Sequence, residues 1–123
     1  MLRWQVHPVA KIPNGYGVAV ADVNGDGKAD ILALSAVESI VEWYENPTWK
    51  PHVITTRTKG NISLAPLRFK GSSSLNLALA TDFSLEDSRH GGNLWWAEPS
   101  PSPESEWSLR SIGQLPSTHR LRW

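Results

Sequence analysis

The most constraining stretch of this chain is Asp22-Val-Asn24-Gly25-Asp26-Gly27-Lys28-Ala-Asp30. Oxygen-bearing side chains stand at its first, third and fifth positions, with a further carboxylate at the ninth. Alternate spacing lets a curling backbone aim Asp22, Asn24 and Asp26 at one point, and the Lys28 carbonyl and Asp30 carboxylate can close the cage. Six to eight hard oxygens at about 2.3–2.6 Å are what Ca²⁺ requires. Gly25 and Gly27 permit the positive φ of the sharp turns. Three acids this close would repel one another without a cation. The alternative is a plain Asn-Gly/Asp-Gly hairpin turn.

The flanks decide which kind of loop this is. Gly17-Val-Ala-Val-Ala21 precedes it and Ile31-Leu-Ala-Leu34 follows, both short apolar segments that read as strands. An EF-hand would need helices and a bidentate Glu at its twelfth position, where this chain has Ala33. The loop therefore joins two strands, and its cation has a structural role.

Repetition extends the argument to the whole chain. Trp4-Gln-Val-His7-Pro-Val9, Trp49-Lys-Pro-His52-Val-Ile54 and Trp107-Ser-Leu-Arg110-Ser-Ile112 resemble one another. Glu42-Trp43-Tyr44-Glu45-Asn46-Pro47 precedes the second copy, and Leu94-Trp95-Trp96-Ala97-Glu98-Pro99 precedes the third. A period of about 45–58 residues with some four strands per unit is the signature of propeller blades. The expected fold is all-β, a partial β-propeller of about two four-stranded blades. Residues 3–12 form an outer strand of a preceding blade, residues 16–55 blade one, residues 61–113 blade two, and residues 117–123 open the inner strand of a third. Trp43, Trp49, Trp95 and Trp107 fall at matching positions and are expected between blades. His7 and His52 are expected to be solvated or to brace a blade.

The loop, the Trp43-Tyr-Glu-Asn-Pro47 strand end and the Trp49…His52-Val-Ile54 strand resemble the FG-GAP (VCBS-type) repeats of calcium-bearing propellers. Blade two departs from that pattern. Aligning Ile31-Leu-Ala-Leu34 with Leu77-Ala-Leu-Ala80 puts Arg68, Lys70, Ser72 and Asn76 at the ligand positions, and two cations there would repel calcium. One calcium site is expected, not two.

Bulk composition excludes some partners. The 123 residues carry 12 basic and 12 acidic side chains, so no field favours nucleic acid or an anionic membrane. No apolar run approaches the ~18–20 residues of a membrane span. Met1-Leu-Arg-Trp-Gln-Val-His-Pro lacks the apolar core of a secretory signal. The absence of cysteine excludes disulfides without fixing a compartment. Closed propellers take about four to eight blades. The expected partners are therefore the remaining blades of a longer protein or copies of this chain, and the stop at Trp123 favours the longer protein.

The face opposite the calcium loop is where a ligand is expected. Blade two carries a long insertion there, Asp82-Phe-Ser-Leu-Glu86-Asp87-Ser-Arg89-His90-Gly-Gly92, beside Ser117-Thr118-His119-Arg120. If His90 and His119 meet near the central channel, they form an acid–base pair for work on a sugar, or, with Glu86 or Asp87, a second divalent-metal site for Zn²⁺ or Mg²⁺. The alternative is that each packs locally and Arg89 pairs with a nearby acid. Trp96 and Trp123 are expected to pack, with stacking on a carbohydrate as the alternative. Arg89-His-Gly-Gly-Asn-Leu-Trp-Trp-Ala-Glu-Pro99 and Thr118-His-Arg-Leu-Arg122 resemble the propeller domain of fungal aldos-2-ulose dehydratases. That resemblance implies a metal-dependent carbohydrate lyase. A carbohydrate-binding or purely interacting propeller is the alternative.

Overall fold

A computed structural model describes residues 1–123. Blade one holds β1 (Gly15–Ala21), β2 (Asp30–Ser35), β3 (Val41–Glu45) and β4 (Lys50–Thr55). Blade two holds β5 (Ser63–Arg68), β6 (Leu75–Thr81), β7 (Asn93–Glu98) and β8 (Ser108–Gln114). Each blade is an antiparallel meander with its strands in chain order. Two such sheets are the all-β arrangement expected of two propeller blades.

One apolar layer joins them. Leu32, Leu34, Val41, Trp43 and Ile54 of blade one form a single cluster with Leu64, Leu75, Leu77, Leu79, Ala97 and Trp107. Burying a side chain of this size contributes about 1.5–3 kcal/mol. The β1 side of the layer is built from small residues for a steric reason. A Cβ at Gly17 would lie 3.1 Å from the Leu34 side chain, and Ala19 and Ala21 lie against the same cluster. Trp43 and Trp107 are core residues as expected, and Trp95 packs against them. Trp49 departs from expectation: it sits half-buried in the turn before β4 with a φ of 58°.

Register corrects the alignment of the blades. Leu77 and Leu79 share the core layer with Leu32 and Leu34, so Ile31 cannot answer to Leu77 without turning every side chain to the wrong face. Ala21 pairs with Asp30 at the loop end of blade one, and Arg68 pairs with Leu75 at the same end of blade two. The place of Asp30 is therefore taken by Leu75, and the turn after Arg68 is shorter than the 22–30 loop. Arg110 likewise does not answer to His52. Arg110 pairs with Trp96 on the far side of blade two, whereas His52 pairs with Trp43 at the blade junction.

The outer rim is laced by polar contacts. The Trp107 amide donates to the Ile54 carbonyl at 2.9 Å. Glu106 accepts from the Thr56 amide at 3.1 Å and from Arg57 Nε at 3.0 Å. Lys50 reaches Glu104 at 2.8 Å. His52 stacks on Trp43 at 4.3 Å, bonds Glu45 at 2.8 Å and faces the Pro103 carbonyl. The proline-rich segment after β7 thus leans on blade one, and His52 braces the junction.

Residues 3–12 and 117–123 enter no ladder. The N-terminal segment is almost wholly exposed, His7 included. The C-terminal segment lies along β5 instead: the Leu121 amide donates to Ser63 Oγ at 3.0 Å, and Trp123 Nε1 to the Ala65 carbonyl at 2.8 Å.

Candidate functional site

The 22–30 loop is organised around Asp22. Its Oδ1 accepts the Gly25 and Asp26 amides at 2.8 and 3.1 Å, and its Oδ2 accepts the Gly27 amide at 2.9 Å. Asn24 Oδ1 accepts the Asp26 amide at 3.1 Å and Asp26 Oδ1 the Lys28 amide at 2.9 Å. These are Asx turns, in which a short side chain folds back on the backbone just ahead of it. Gly25 and Gly27 take φ of 79° and 84°. Lys28 approaches Asp26 at 3.6 Å, which lowers the local negative charge.

Asp30 is fully buried. Its Oδ2 accepts the Val23 amide at 2.8 Å and its Oδ1 the Asn46 amide at 2.9 Å. The carboxylate therefore ties the loop to the turn after β3, where Asn24 Nδ2 also donates to Glu45 Oε1 at 3.1 Å. The donor chemistry of Asp22, Asn24 and Asp26, all hard oxygens with lone pairs to spare, suits calcium. The observed arrangement turns those oxygens onto backbone amides, and no three acidic or histidine side chains gather around one point. In blade two the corresponding turn carries a guanidinium beside the loop, from Arg68 at the ladder place of Ala21. Arg68 donates to the Asp22 carbonyl at 2.5 Å and to the Ser73 carbonyl of its own turn.

At the other end of the strands, the insertion and the segment after β8 do meet. The Leu115 amide donates to the Gly92 carbonyl at 2.8 Å, and Ser117 Oγ to the Ser88 carbonyl at 2.5 Å. Gly91 and Gly92 make this crossing possible. A Cβ on either would lie 2.0 Å from a carbonyl oxygen, that of Asp82 or of Leu115. The two histidines nevertheless take separate partners. His90 is 79% exposed and bonds Asp87 within the insertion. His119 bonds the Tyr16 hydroxyl at 2.9 Å and meets the Phe83 ring edge-on at 5.3 Å. Glu86 is held only through its amide on Ser84, and Arg89 is exposed. Trp96 stacks on Phe69 at 5.9 Å and meets Trp123 edge-on at 5.9 Å, with Nε1 on Glu98.

His119, Tyr16, Ser63, Arg120 and Arg122 line a cavity of about 300 Å³ between β1 and β5. Tyr16 and Arg122 carry no sequence signal of this role. Only the packing of the two inner strands against the C-terminal segment brings them together.

Among charged groups, the Thr56 hydroxyl holds the Glu106 carboxyl below the usual carboxylate range against the opposing effect of burial, helped by the Thr56 amide and Arg57. Lys50 lowers Glu104 and is itself raised by it. Burial, with the hydrogen bond to Glu42, pushes the Tyr44 phenol up, so Tyr44 remains a donor to Glu42 at 2.8 Å.

Residues 14–36 match the FG-GAP repeat family. The match spans β1, the Asp22-centred loop and β2. No curated protein matches the chain.

Proposed function

We propose that this chain works as a β-propeller module in which the FG-GAP repeat at residues 14–36 holds a structural calcium ion. Asp22, Asn24 and Asp26, with the Lys28 carbonyl and Asp30, supply the oxygens. The observation that supports the reading is the tight loop of hard-oxygen side chains at Asp22, Asn24 and Asp26, curled by Gly25 and Gly27 at φ of 79° and 84° within the matched repeat. Calcium bound there offsets the repulsion of the acids and braces the β1–β2 hairpin. It sits at the opposite end of the strands from His119, so it does not polarise a ligand in the cavity. Calcium should raise the melting temperature of the parent chain, and Asp22→Ala should abolish that rise. Identical melting of parent and variant, with and without calcium, refutes the site.

A second reading, a piece of a carbohydrate-acting lyase, is favoured by the contact of the His119 imidazole with the Tyr16 phenol at a cavity wall. Two titratable groups in contact can hold and pass a proton. Loss of keto-sugar turnover in His119→Ala with sugar binding kept supports this reading, and unchanged turnover removes it. His90 with Asp87 is a lesser candidate for the same role or for a second metal, Zn²⁺ or Mg²⁺. The Phe69, Trp96 and Trp123 rings favour a carbohydrate-binding surface instead. Trp96→Ala should then weaken glycan binding by about tenfold. In either reading further blades, or copies of this chain, cover the outward faces of the two sheets. A solution mass several times the monomer's identifies copies.

A further inference from the structure

We propose that the cavity between β1, β5 and the C-terminal segment binds the anionic group, carboxylate or phosphate, of a small ligand. Its polar lining consists of the Arg120 and Arg122 guanidinia, the Tyr16 and Ser63 hydroxyls and the His119 ring, beside the apolar side chains of Val18, Ile62 and Leu64. No aspartate or glutamate lines it. Neither arginine takes part in an ion pair, since the acids of this chain that are paired engage Lys28, Lys50, His52, Arg57 and His90. The chain as a whole carries no net charge, so this concentration of cationic donors is local to the cavity.

Guanidinium is the side-chain group best matched to such a ligand. Its planar fork of N–H donors meets the two oxygens of a carboxylate or phosphate in parallel. Two guanidinia beside one cavity repel each other until an anion lies between them. A volume of about 300 Å³ stands at the small end of ligand pockets, enough for a monosaccharide-sized acid or phosphate. The imidazole of His119, fixed by Tyr16 at 2.9 Å, adds an orienting contact beside the anion. The proposal does not involve the 22–30 loop. It shares His119 with the lyase reading but stands apart from it, because a neutral sugar tests one and a charged sugar the other.

Titration of the full chain by calorimetry with D-glucuronate, glucose 6-phosphate and glucose tests the assignment. Glucuronate, glucose 6-phosphate or both should bind with a Kd below about 10 mM, and glucose should give no saturable heat in the same range. Arg120→Gln and Arg122→Gln should each weaken that binding by about tenfold or more. Lys70→Gln, at an exposed cation away from the cavity, should leave it unchanged. Whether glucuronate or glucose 6-phosphate binds tighter identifies the anion. Both arginines are exposed, so the variants fold, and an unchanged circular dichroism spectrum verifies it. Absence of binding by both anions, equal binding of glucose, or full affinity in the two arginine variants overturns the proposal.

Discussion

Asp30 shows how much one side chain can carry. It is fully buried, and its two oxygens hold the Val23 and Asn46 amides of separate segments. Removing the carboxylate leaves one buried and one part-buried donor unpaired, at about 1–3 kcal/mol for the buried one. Asp30→Ala should therefore destabilise the chain by about 3 kcal/mol in urea unfolding, even without calcium. A loss under about 1 kcal/mol would mean the amides find other partners. The spacing of Asp22, Asn24, Asp26 and Asp30 was legible in the sequence as a tight, oxygen-rich turn between strands. Which way the oxygens face was not, because a carboxylate serves backbone amides and a cation with the same lone pairs. Gly91 makes a second case. With a φ of 79° and the Asp82 carbonyl 2.0 Å from the place of a Cβ, Gly91→Ala should cost about 2 kcal/mol or more, measured as a fall in urea midpoint.

At the scale of strands, β6 explains the one-residue slip in the comparison of the blades. Every residue from Leu75 to Thr81 is buried, so Leu-Asn-Leu-Ala-Leu-Ala offers no alternation of apolar and polar residues by which to choose a face. In β1, Val18 and Val20 stand exposed while Ala19 and Ala21 face the core, the reverse of what side-chain size alone implies. Within the two blades, strand number, order and near-boundaries were legible because Trp, Gly and Pro punctuate each unit; the strands expected over residues 3–12 and 117–123 are not formed. The pairing of His52 with Trp43 and of Arg110 with Trp96 was not, because it depends on the register of β4 and β8 against their neighbours, which sequence spacing alone does not state. The junction of β4 with the segment before β8 also sets a pH dependence. The Glu106 carboxyl titrates below its ordinary value near 4.5, chiefly through the Thr56 hydroxyl. Its contribution is complete above that ordinary value and is lost as pH falls through the lowered one. Glu106→Gln should therefore shrink the drop in urea midpoint between about pH 7 and about pH 3. An unchanged drop would show that Glu106 does not hold the rim.

For the molecule as a whole, the two sheets share one core while each keeps an outward face. Leu77→Ala, in the shared layer and fully buried, should cost about 2–5 kcal/mol. Val18→Thr, at a position 69% exposed, should change stability by less than about 0.5 kcal/mol. Comparable losses at the two positions, read from urea midpoints, would mean that the β1 face is covered in solution. The contacts made by Thr56, Arg57, His52 and Lys50 with the 103–107 segment have a mechanical consequence. They act as the spine of a book whose pages are the two sheets. Loss of these contacts would leave the outer edges of the two sheets held together by the shared apolar layer and the Trp107–Ile54 backbone hydrogen bond alone.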